Sequence, residues 1–430
     1  MDLSRLRPTA LLVASAVVIG AVGCAPAAAN APAAAATPAA TADVWDSTRV
    51  HSFAVNYDAD DYDAMIATYV ATEQKEWIAA TVTVDGVTYE NAGLKLKGNS
   101  SLRGLSTDAD AQISAAAPES LPWIIRLDKF VDGQTHGGAA EFAVRANSTQ
   151  TALNEAVALD LLAAAGLASQ EAIAARFSAG GSDDVLRLIV ENPTDTWMTR
   201  ELGVGSLYKA EAGGDYSYRG DDPDAYTDIF DQEGGTDDLV PLIDFLRWIN
   251  DASDAEFAAD LDDHLEVEAF ATYLAFQDLI GNQDDIDGPG NNSYLFADSG
   301  SDRMTVVSWD LNLAFGQANV GGGPGDASRG PGAHVAADGA PPERPDGAQG
   351  PGGGPGGTSN VLSARFLADD DFAQLVQQQR ERLQIDLFDS GLAAGILTER
   401  TAAVEAGASD LVAPATIASE AETLSAAFPS

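Results

Sequence analysis

Histidine and cysteine are scarce in this sequence, which limits the kinds of metal site and catalytic mechanism that it can support. Its 430 residues include four histidines and one cysteine. The histidines, at positions 51, 136, 264 and 334, show no HxxxH or HExxH spacing, so the sequence does not predict a zinc site. It also lacks a GxSxG nucleophile elbow and a GxxxxGK P-loop, and it predicts neither a serine hydrolase nor a P-loop enzyme.

Basic residues are also in short supply. The chain has 23 Lys and Arg against 66 Asp and Glu, which gives a formal net charge of −43. Such a surface repels phosphate backbones, so nucleic acid is not expected as a partner, whereas cations are attracted. Most of the carboxylates are expected to form a solvated exterior. The 45% share of hydrophobic residues still allows a sizeable core.

The N-terminus has the pattern of an export signal. Arg5 and Arg7 precede the apolar run TALLVASAVVIGAVG, which ends at Cys24. The ending AVGC resembles the lipobox of bacterial lipoproteins, so residues 1–24 are predicted to be a signal peptide and Cys24 the site of a membrane lipid anchor. Ala21 stands where Leu is usual, and ordinary cleavage to a secreted protein is the alternative. A lipidated Cys24 leaves no thiol for disulfides, metal or nucleophilic catalysis.

Beyond an Ala/Pro-rich linker over 25–43, the sequence predicts one α+β domain over 44–425. Its first half has the pattern of mostly antiparallel strands, including a hairpin with an Asp-Gly turn, and one prominent helix over 149–165. The second half is richer in helix. Residues 320–358 are Gly/Pro-rich with almost no apolar content, and they are predicted to be a disordered insertion.

Oxygen-bearing side chains crowd one short stretch, GNQDDIDGPGNNSYLF, which covers residues 281–296. An EF-hand is excluded because Tyr294 falls where its bidentate Glu is required. The stretch lies between a predicted helix and a predicted strand, and Asp310 ends the next strand, in WDLNLAFG. This order suits phosphoryl transfer, in which one Asp orients the attacking hydroxyl while an Asn and a second Asp hold Mg²⁺ against the phosphates.

Phosphoryl transfer also needs a cation for the nucleotide and an acid that positions this cation. Glu155 shares a helix face with apolar residues, so it needs a charged partner. Lys95, Lys97 and Arg126, on the preceding strands, are the candidates. The adjoining turn GNSSLRG offers backbone N–H groups that could cradle phosphate.

Taken together, these stretches resemble the CotH family, the spore-coat-type secreted protein kinases with an atypical protein-kinase-like fold. The resemblance covers roughly residues 45–390. It implies a β-rich N-terminal lobe with one prominent helix and a more helical C-terminal lobe. The matching pieces, in the family's order, are LKLKGNSSLRG, WIIRLDKF, FAVRANSTQTALNEAVALDLLAAAGL, GSLYKAE, GNQDDIDGPGNNSYLF, WDLNLAFG and SNVLSARFLADDDF.

The resemblance assigns roles in the Asp/Asn loop and at the strand end. Asp284 takes the position of the catalytic Asp, and Asp285 is the second candidate. Asn292, or else Asn291, takes the position of the metal-binding Asn, and Asp310 that of the metal-binding Asp. The implied cofactors are ATP and Mg²⁺ or Mn²⁺.

Further residues are implied to contact the nucleotide. Glu155 is the helix acid, Arg145 belongs to the same site, and Glu191 stands where a hinge to the base would fall. Family members often carry Lys-Lys before the strand PWIIRL, where this chain has Leu-Pro. Lys97 or Arg126 must therefore contact the phosphates, and an Arg binds phosphate differently from a Lys.

The sequence thus predicts an exported, ATP- and metal-dependent protein kinase that modifies Ser or Thr of a surface or coat protein. Two alternatives stay open. One is a non-catalytic surface lipoprotein that uses the kinase-like fold as a binding module, which the missing Lys pair and the long insertion favour. The other is a kinase-like enzyme that transfers AMP instead of phosphate.

Overall fold

The computed structural model describes residues 43–211, 214–288, 291–317 and 360–430. The predicted signal peptide with Cys24, nearly all of the linker and the Gly/Pro-rich insertion lie outside these residues. Within the described ranges, no helix is both long enough and apolar enough to cross a bilayer.

Alternating apolar residues in the first half build a closed barrel. Its strands are β1 His51–Tyr57, β2 Ile78–Val84, β3 Val87–Leu96, β4 Trp123–Arg126, β5 Glu141–Val144, β6 Ala172–Ala179 and β7 Val185–Glu191. They follow each other around the barrel as β1-β2-β3-β4-β5-β7-β6. Neighbours are antiparallel except β1 and β6, which are parallel.

The hairpin between β2 and β3 confirms the predicted Asp-Gly turn. Asp85 and Gly86 both have positive φ, 48° and 83°. Positive φ at both central residues is the type I′ geometry, whose twist matches that of the flanking strands. The turn therefore fixes the register in which β3 enters the barrel.

Two helices belong to this half, α1 over Ala59–Thr72 and α2 over Leu153–Ala164. The buried side chains of α1 join the apolar interior of the barrel, and those of α2 join a separate core shared with the C-terminal helices. The predicted helix over 149–165 is α2, but it begins later because Ala152 adopts a left-handed conformation with φ 52°. Gly166, with φ 83°, follows its end as predicted.

The second half contains an antiparallel sheet of four strands in the order β11-β10-β8-β9. These strands are β8 Gly205–Ala210, β9 Phe230–Gly234, β10 Ser293–Asp298 and β11 Met304–Ser308. The helices are α3 Asp195–Glu201, α4 Val240–Asp251, α5 Asp254–Asp260, α6 Val267–Ile280, α7 Val361–Ala368, α8 Asp370–Leu383, α9 Leu392–Ala408 and α10 Pro414–Ala426.

The α+β class is confirmed, with strands dominating the first half and helices the second. The closed barrel was not predicted. Its closure depends on the parallel pairing of β1 with β6, which are far apart in sequence, and no local pattern specifies such a pairing.

Candidate functional site

The register of β10 and β11 brings the two ends of the predicted metal site together. The last paired residues are Ser293 and Ser308. Because the strands are antiparallel, Asn292 immediately precedes the pair on one strand and Trp309 immediately follows it on the other. Asp310 comes next, so the Asp/Asn loop and the strand-end Asp lie at the same edge of the sheet.

Asp310 occupies an unusual backbone conformation. Its φ of 58° and ψ of 59° are left-handed, which costs a residue other than Gly about 1–2 kcal/mol. Surrounding contacts must hold such a residue in place. One of them is an ion pair between Asp310 Oδ1 and the guanidinium of Arg145. The Asp310 side chain still keeps 27% of its surface exposed.

The same guanidinium is anchored by Glu155. Arg145 Nε donates to Glu155 Oε2 at 3.0 Å, and Arg145 Nη2 lies 2.9 Å from Oε1. Both residues are buried. Arg145 directly follows β5, and Glu155 lies in the first turn of α2. The prediction that Lys95, Lys97 or Arg126 pairs with Glu155 was therefore wrong, because a bidentate Arg from β5 fills that place.

Lys97, directly after β3, faces this group from the barrel side. Its Nζ lies 4.6 Å from the centroid of the Trp309 ring, and the guanidinium carbon of Arg145 lies 5.7 Å from the same centroid. Burial, and then the positive charges of Arg145 and Lys209, lower the pKa of Lys97 well below its ordinary value, although Glu155 opposes them. An anionic ligand would stabilise a cation held under such conditions.

All the lysines of this acidic chain lie in one region. Lys95 and Lys129 have their Nζ atoms 4.7 and 5.0 Å from the ring centroid of Trp77. Lys75 donates to Asn99 Oδ1 at 2.7 Å, and its charge interacts with those of neighbouring lysines. We call the set the lysine cluster; its members are Lys75, Lys95, Lys97, Lys129 and Lys209.

Lys209 is the member that sequence reasoning missed. It lies on β8 opposite Tyr294 of β10, and among the described residues it is the only lysine with a carboxylate within 4.0 Å, Glu211 at 2.5 Å. Asp231 and Glu233 of β9 lie nearby, and burial raises the pKa of both. The signal was present in GSLYKAE, where strand alternation places Lys and Glu on one face.

The three aspartates of the loop after α6 have different surroundings. Asp287 Oδ1 accepts from the backbone N of Asn360 at 2.9 Å and from Ser363 Oγ, so it anchors the start of α7. Asp285 Oδ1 accepts from the backbone N of Asp287 at 3.0 Å, and burial raises the pKa of Asp285 to about 7. Asp284 and Asp285 are both partly exposed. Because its raised pKa makes Asp285 the weaker proton acceptor near neutral pH, Asp284 remains the first candidate and Asp285 the second.

The loop folds back closely on Asp284. A Cβ atom added to Gly288 would lie 2.4 Å from the Cα of Asp284, so only glycine fits at this position. On the far side of the loop, Asn291 is buried with φ 51°, and its Nδ2 donates to the carbonyl oxygen of Glu211 at 3.4 Å. Asn292 is partly exposed. This difference favours Asn292 over Asn291 as a metal ligand.

Buried amides tie the loop to β11, the strand that precedes Asp310. Asn282 Nδ2 donates to Gln277 Oε1 at 2.9 Å, and Gln277 Nε2 donates to Ser308 Oγ at 3.0 Å. Asn154 of α2 likewise donates to the carbonyl oxygen of Asn312 at 2.7 Å. The loop, the strand end and the helix that carries Glu155 are thus fixed relative to one another.

The residues present fit a divalent cation that arrives with a nucleotide. Asp310 and Asn292 offer hard oxygen ligands, and Asn154 Oδ1 is a buried acceptor without a hydrogen-bond partner among the described residues. Within those same residues, no three His, Cys, Asp or Glu side chains form a metal-binding group. A cation here would therefore take most of its ligands from phosphates and water, as Mg²⁺ commonly does.

Two predicted nucleotide contacts have other partners. Arg126 donates from Nε to Asp128 Oδ1 at 2.8 Å. Glu191 accepts from Arg200 Nη1 and Nη2 at 2.7 and 2.6 Å, which ties β7 to α3. The structure does not bring either side chain to the Arg145 group, so the roles predicted for Arg126 and Glu191 stay predictions.

One family model, described as CotH kinase protein, matches residues 94–407. The match includes every predicted site residue, but it omits β1, α1, β2 and most of β3 at one end and α10 at the other. No curated protein matches the chain.

Proposed function

Because the chain belongs to the CotH family, we propose that it is an ATP- and divalent-metal-dependent protein kinase. It transfers the γ-phosphoryl group to Ser or Thr of a surface or coat protein, and its two halves act as the lobes of a kinase-like fold. The chain is exported and held at the membrane by a lipid on Cys24, or secreted if cleavage occurs without lipidation.

The lysine cluster is the observation that carries this proposal. In a chain with a net charge of −43, every lysine lies in one region, and among the described residues only Lys209 has a carboxylate oxygen within 4.0 Å of its ammonium group. Among its members, Lys97 contacts the Trp309 ring, and so does Arg145, the ion-pair partner of Asp310. A polyanion that carries its own metal ion, such as a nucleoside triphosphate, matches this combination of unpaired cations and oxygen ligands.

Each residue has a distinct task in nucleotide binding. When bound, ATP supplies the phosphoryl group and the divalent cation neutralises its phosphate charge. Lys97 binds phosphate oxygens, and Trp309 fixes the position of its ammonium group. Glu155 holds the Arg145 guanidinium in a fixed orientation, and Asp310 with Asn292 ligates the cation.

Asp284 acts on the acceptor. Its carboxylate accepts the hydroxyl proton of Ser or Thr while the hydroxyl oxygen forms a bond to the γ-phosphorus. The bond between that phosphorus and the bridging oxygen breaks, and ADP leaves with the electron pair. The raised pKa of Asp285 leaves it largely protonated below neutral pH, so it serves less well as the acceptor of this proton.

The direct test is intact-mass and peptide mass spectrometry after incubation of the purified chain with ATP and Mn²⁺. An added phosphate on Ser or Thr is expected. An added AMP would overturn phosphoryl transfer in favour of nucleotidyl transfer. No modification, together with no thermal shift from ATP, would overturn the enzyme and leave the binding module.

Two substitutions test the assigned roles. Asp310→Ala should abolish the metal-dependent thermal shift by ATP, whereas Asp302→Ala should not. Asp302 is a matched control because it is an exposed Asp with the same φ of 58°. Asp284→Asn should retain the ATP-induced shift but lose most transfer; a fully active variant would move the role to Asp285.

The binding module is the second candidate because Asp310 is already ion-paired with Arg145. If that ion pair is permanent, Asp310 cannot ligate a metal ion. Titration of Mn²⁺ into the ATP complex distinguishes the kinase from the binding module. The kinase requires ATP affinity to rise with the concentration of the metal ion, whereas the binding module does not.

A further inference from the structure

We propose that Glu420, on the C-terminal helix α10, is a positioning residue that holds Glu155 in place by bracing the residues that lead into α2. Its link to catalysis rests on the proposed function, but the contact itself does not. Helix α10 lies beyond the residues that the family model matches, which end at 407.

The start of α2 has no cap of the usual kind. The first N–H groups of a helix have no partners within the helix, and a Ser, Thr, Asp or Asn at the cap position normally accepts from them. Here the cap residue is Ala152, which has no side-chain acceptor and a left-handed φ of 52°. The hydroxyl of Thr151 accepts instead from the backbone N of Leu153 at 3.4 Å, and that of Thr149 accepts from the backbone N of Ala152 at 3.0 Å. This strained arrangement needs support from elsewhere in the fold.

Glu420 supplies that support from a distant part of the sequence. Its Oε1 accepts from the backbone N of Gln150 at 3.0 Å, and its Oε2 accepts from the backbone N and the Oγ1 of Thr151 at 2.9 and 2.5 Å. A carboxylate at this end of α2 is also favoured by the helix dipole. Both carboxylate oxygens of Glu420 accept hydrogen bonds, so the contact fixes the residues that immediately precede α2.

The braced segment leads directly into the candidate site. Glu155 lies in the first turn of α2 and binds Arg145, which binds Asp310. Its neighbour Asn154 binds the carbonyl oxygen of Asn312, two residues after Asp310. A shift of this first turn would therefore move Glu155, the partner of Arg145. It would also weaken the contact with Asn312, which fixes the segment after β11 that carries Asp310.

The matched pair of variants is Glu420→Gln and Glu422→Gln. Glutamine keeps the size of the side chain but loses the charge and one acceptor oxygen. Glu422 lies on the same helix and is exposed, so Glu422→Gln controls for the loss of a charge from α10. Glu420→Ala extends the series, and its effects should exceed those of Glu420→Gln.

The first readout does not depend on activity. In the full-length chain, Glu420→Gln should speed hydrogen exchange at the Gln150 and Thr151 amides about tenfold, whereas Glu422→Gln should not. The NMR signal of the Arg145 Nε–H, assigned by its loss in Arg145→Lys, should weaken or shift in Glu420→Gln alone. Unchanged exchange and an unchanged Arg145 signal would overturn the proposal.

The second readout is kinetic. Glu420→Gln should raise the KM for ATP and lower kcat by about tenfold at a temperature far below its unfolding transition, with Glu422→Gln unchanged. A purely structural role would lower the transition temperature without these changes, and that result would also overturn the proposal. If the wild type itself neither binds ATP nor transfers phosphate, the proposed function fails, and the exchange and NMR results still decide whether Glu420 positions Glu155.

Discussion

The inner and outer faces of the same barrel strands have opposite character. On β3, Leu94 and Leu96 point inward and are fully buried, whereas Lys95 between them is partly exposed and points outward. On β5, Phe142 points inward, and Arg145, just past its end, reaches the Glu155 group. Because side chains alternate along a strand, one short sequence serves both the core and the candidate site.

Stability and the chemistry of the candidate site therefore depend on different residues of the same strands. Inward residues remove apolar surface from water, which is the main favourable contribution to folding. Outward lysines without a carboxylate within 4.0 Å contribute little to stability. Under the proposed function, substitution of an inward residue should lower the free energy of unfolding without changing ATP affinity, and substitution of Lys97 should do the reverse.

The largest expected effect comes from the inner face. Phe142 is fully buried and packs edge-to-face against Phe53, with ring centroids 5.3 Å apart. Phe142→Ala should lower the free energy of unfolding by about 3–5 kcal/mol, since it removes apolar contacts and leaves a cavity. Denaturant titration measures this loss. Well below the unfolding transition, the variant should still bind ATP normally, and a weakened ATP affinity would mean that the two faces are not independent.

The next effect concerns pH and comes from Asp285, in the loop after α6. The pKa of Asp285 is about 7 in the folded chain, above its ordinary value of 3.8, because burial disfavours the charged form. The folded state thus holds a proton that the unfolded state releases. The contribution of the protonated Asp285 to the free energy of unfolding is complete below pH 3.8, and it is lost as the pH rises to about 7.

Asp285→Asn should remove this dependence on pH. Relative to the variant, the wild type should lose on the order of 3 kcal/mol of unfolding free energy between pH 4 and pH 8. Denaturant titrations of both proteins at several pH values measure the difference, and Asp302→Asn, an exposed site, should run parallel to the wild type. A constant difference between wild type and Asp285→Asn would show that Asp285 is ionised throughout.

The outer face gives the next effect, which concerns binding. Lys97→Met removes an ammonium group that burial and neighbouring positive charges disfavour. The free energy of unfolding should therefore stay equal or rise, while ATP affinity falls at least about tenfold, or 1.4 kcal/mol. Calorimetric titration with ATP and Mn²⁺ measures the affinity. A variant that is less stable yet binds ATP as the wild type does would assign Lys97 to the core.

Local patterns in the sequence predicted much of this contrast. The hairpin before β3 was predictable because an Asp-Gly pair suits a turn that needs two positive φ values, and alternation then placed Lys95 and Lys97 on one face. The helix that carries Glu155 was also predicted from its apolar spacing. Each of these features depends only on residues close together in the chain.

The features that failed depend on distant residues. The partner of Glu155 is Arg145 because the end of β5 lies beside the first turn of α2, which no local pattern states. The later start of α2 comes from the left-handed Ala152, and the residues before it contact Glu420 on the last helix. Lys209 joins the site only because β8 pairs with β10. Long-range strand pairing decides these contacts, and a single sequence does not display it.

The last and smallest effect concerns Lys129, which follows β4. Lys129 lies over the ring of Trp77 with its Nζ 5.0 Å from the centroid. Lys129→Ala should lower the free energy of unfolding by only about 0.5–1 kcal/mol, the typical value of such a contact near the surface. Denaturant titration followed by tryptophan fluorescence measures it. ATP affinity should not change, because Trp77 and not Trp309 holds this lysine; an affinity loss as large as that of Lys97→Met would extend the anion site along the whole lysine cluster.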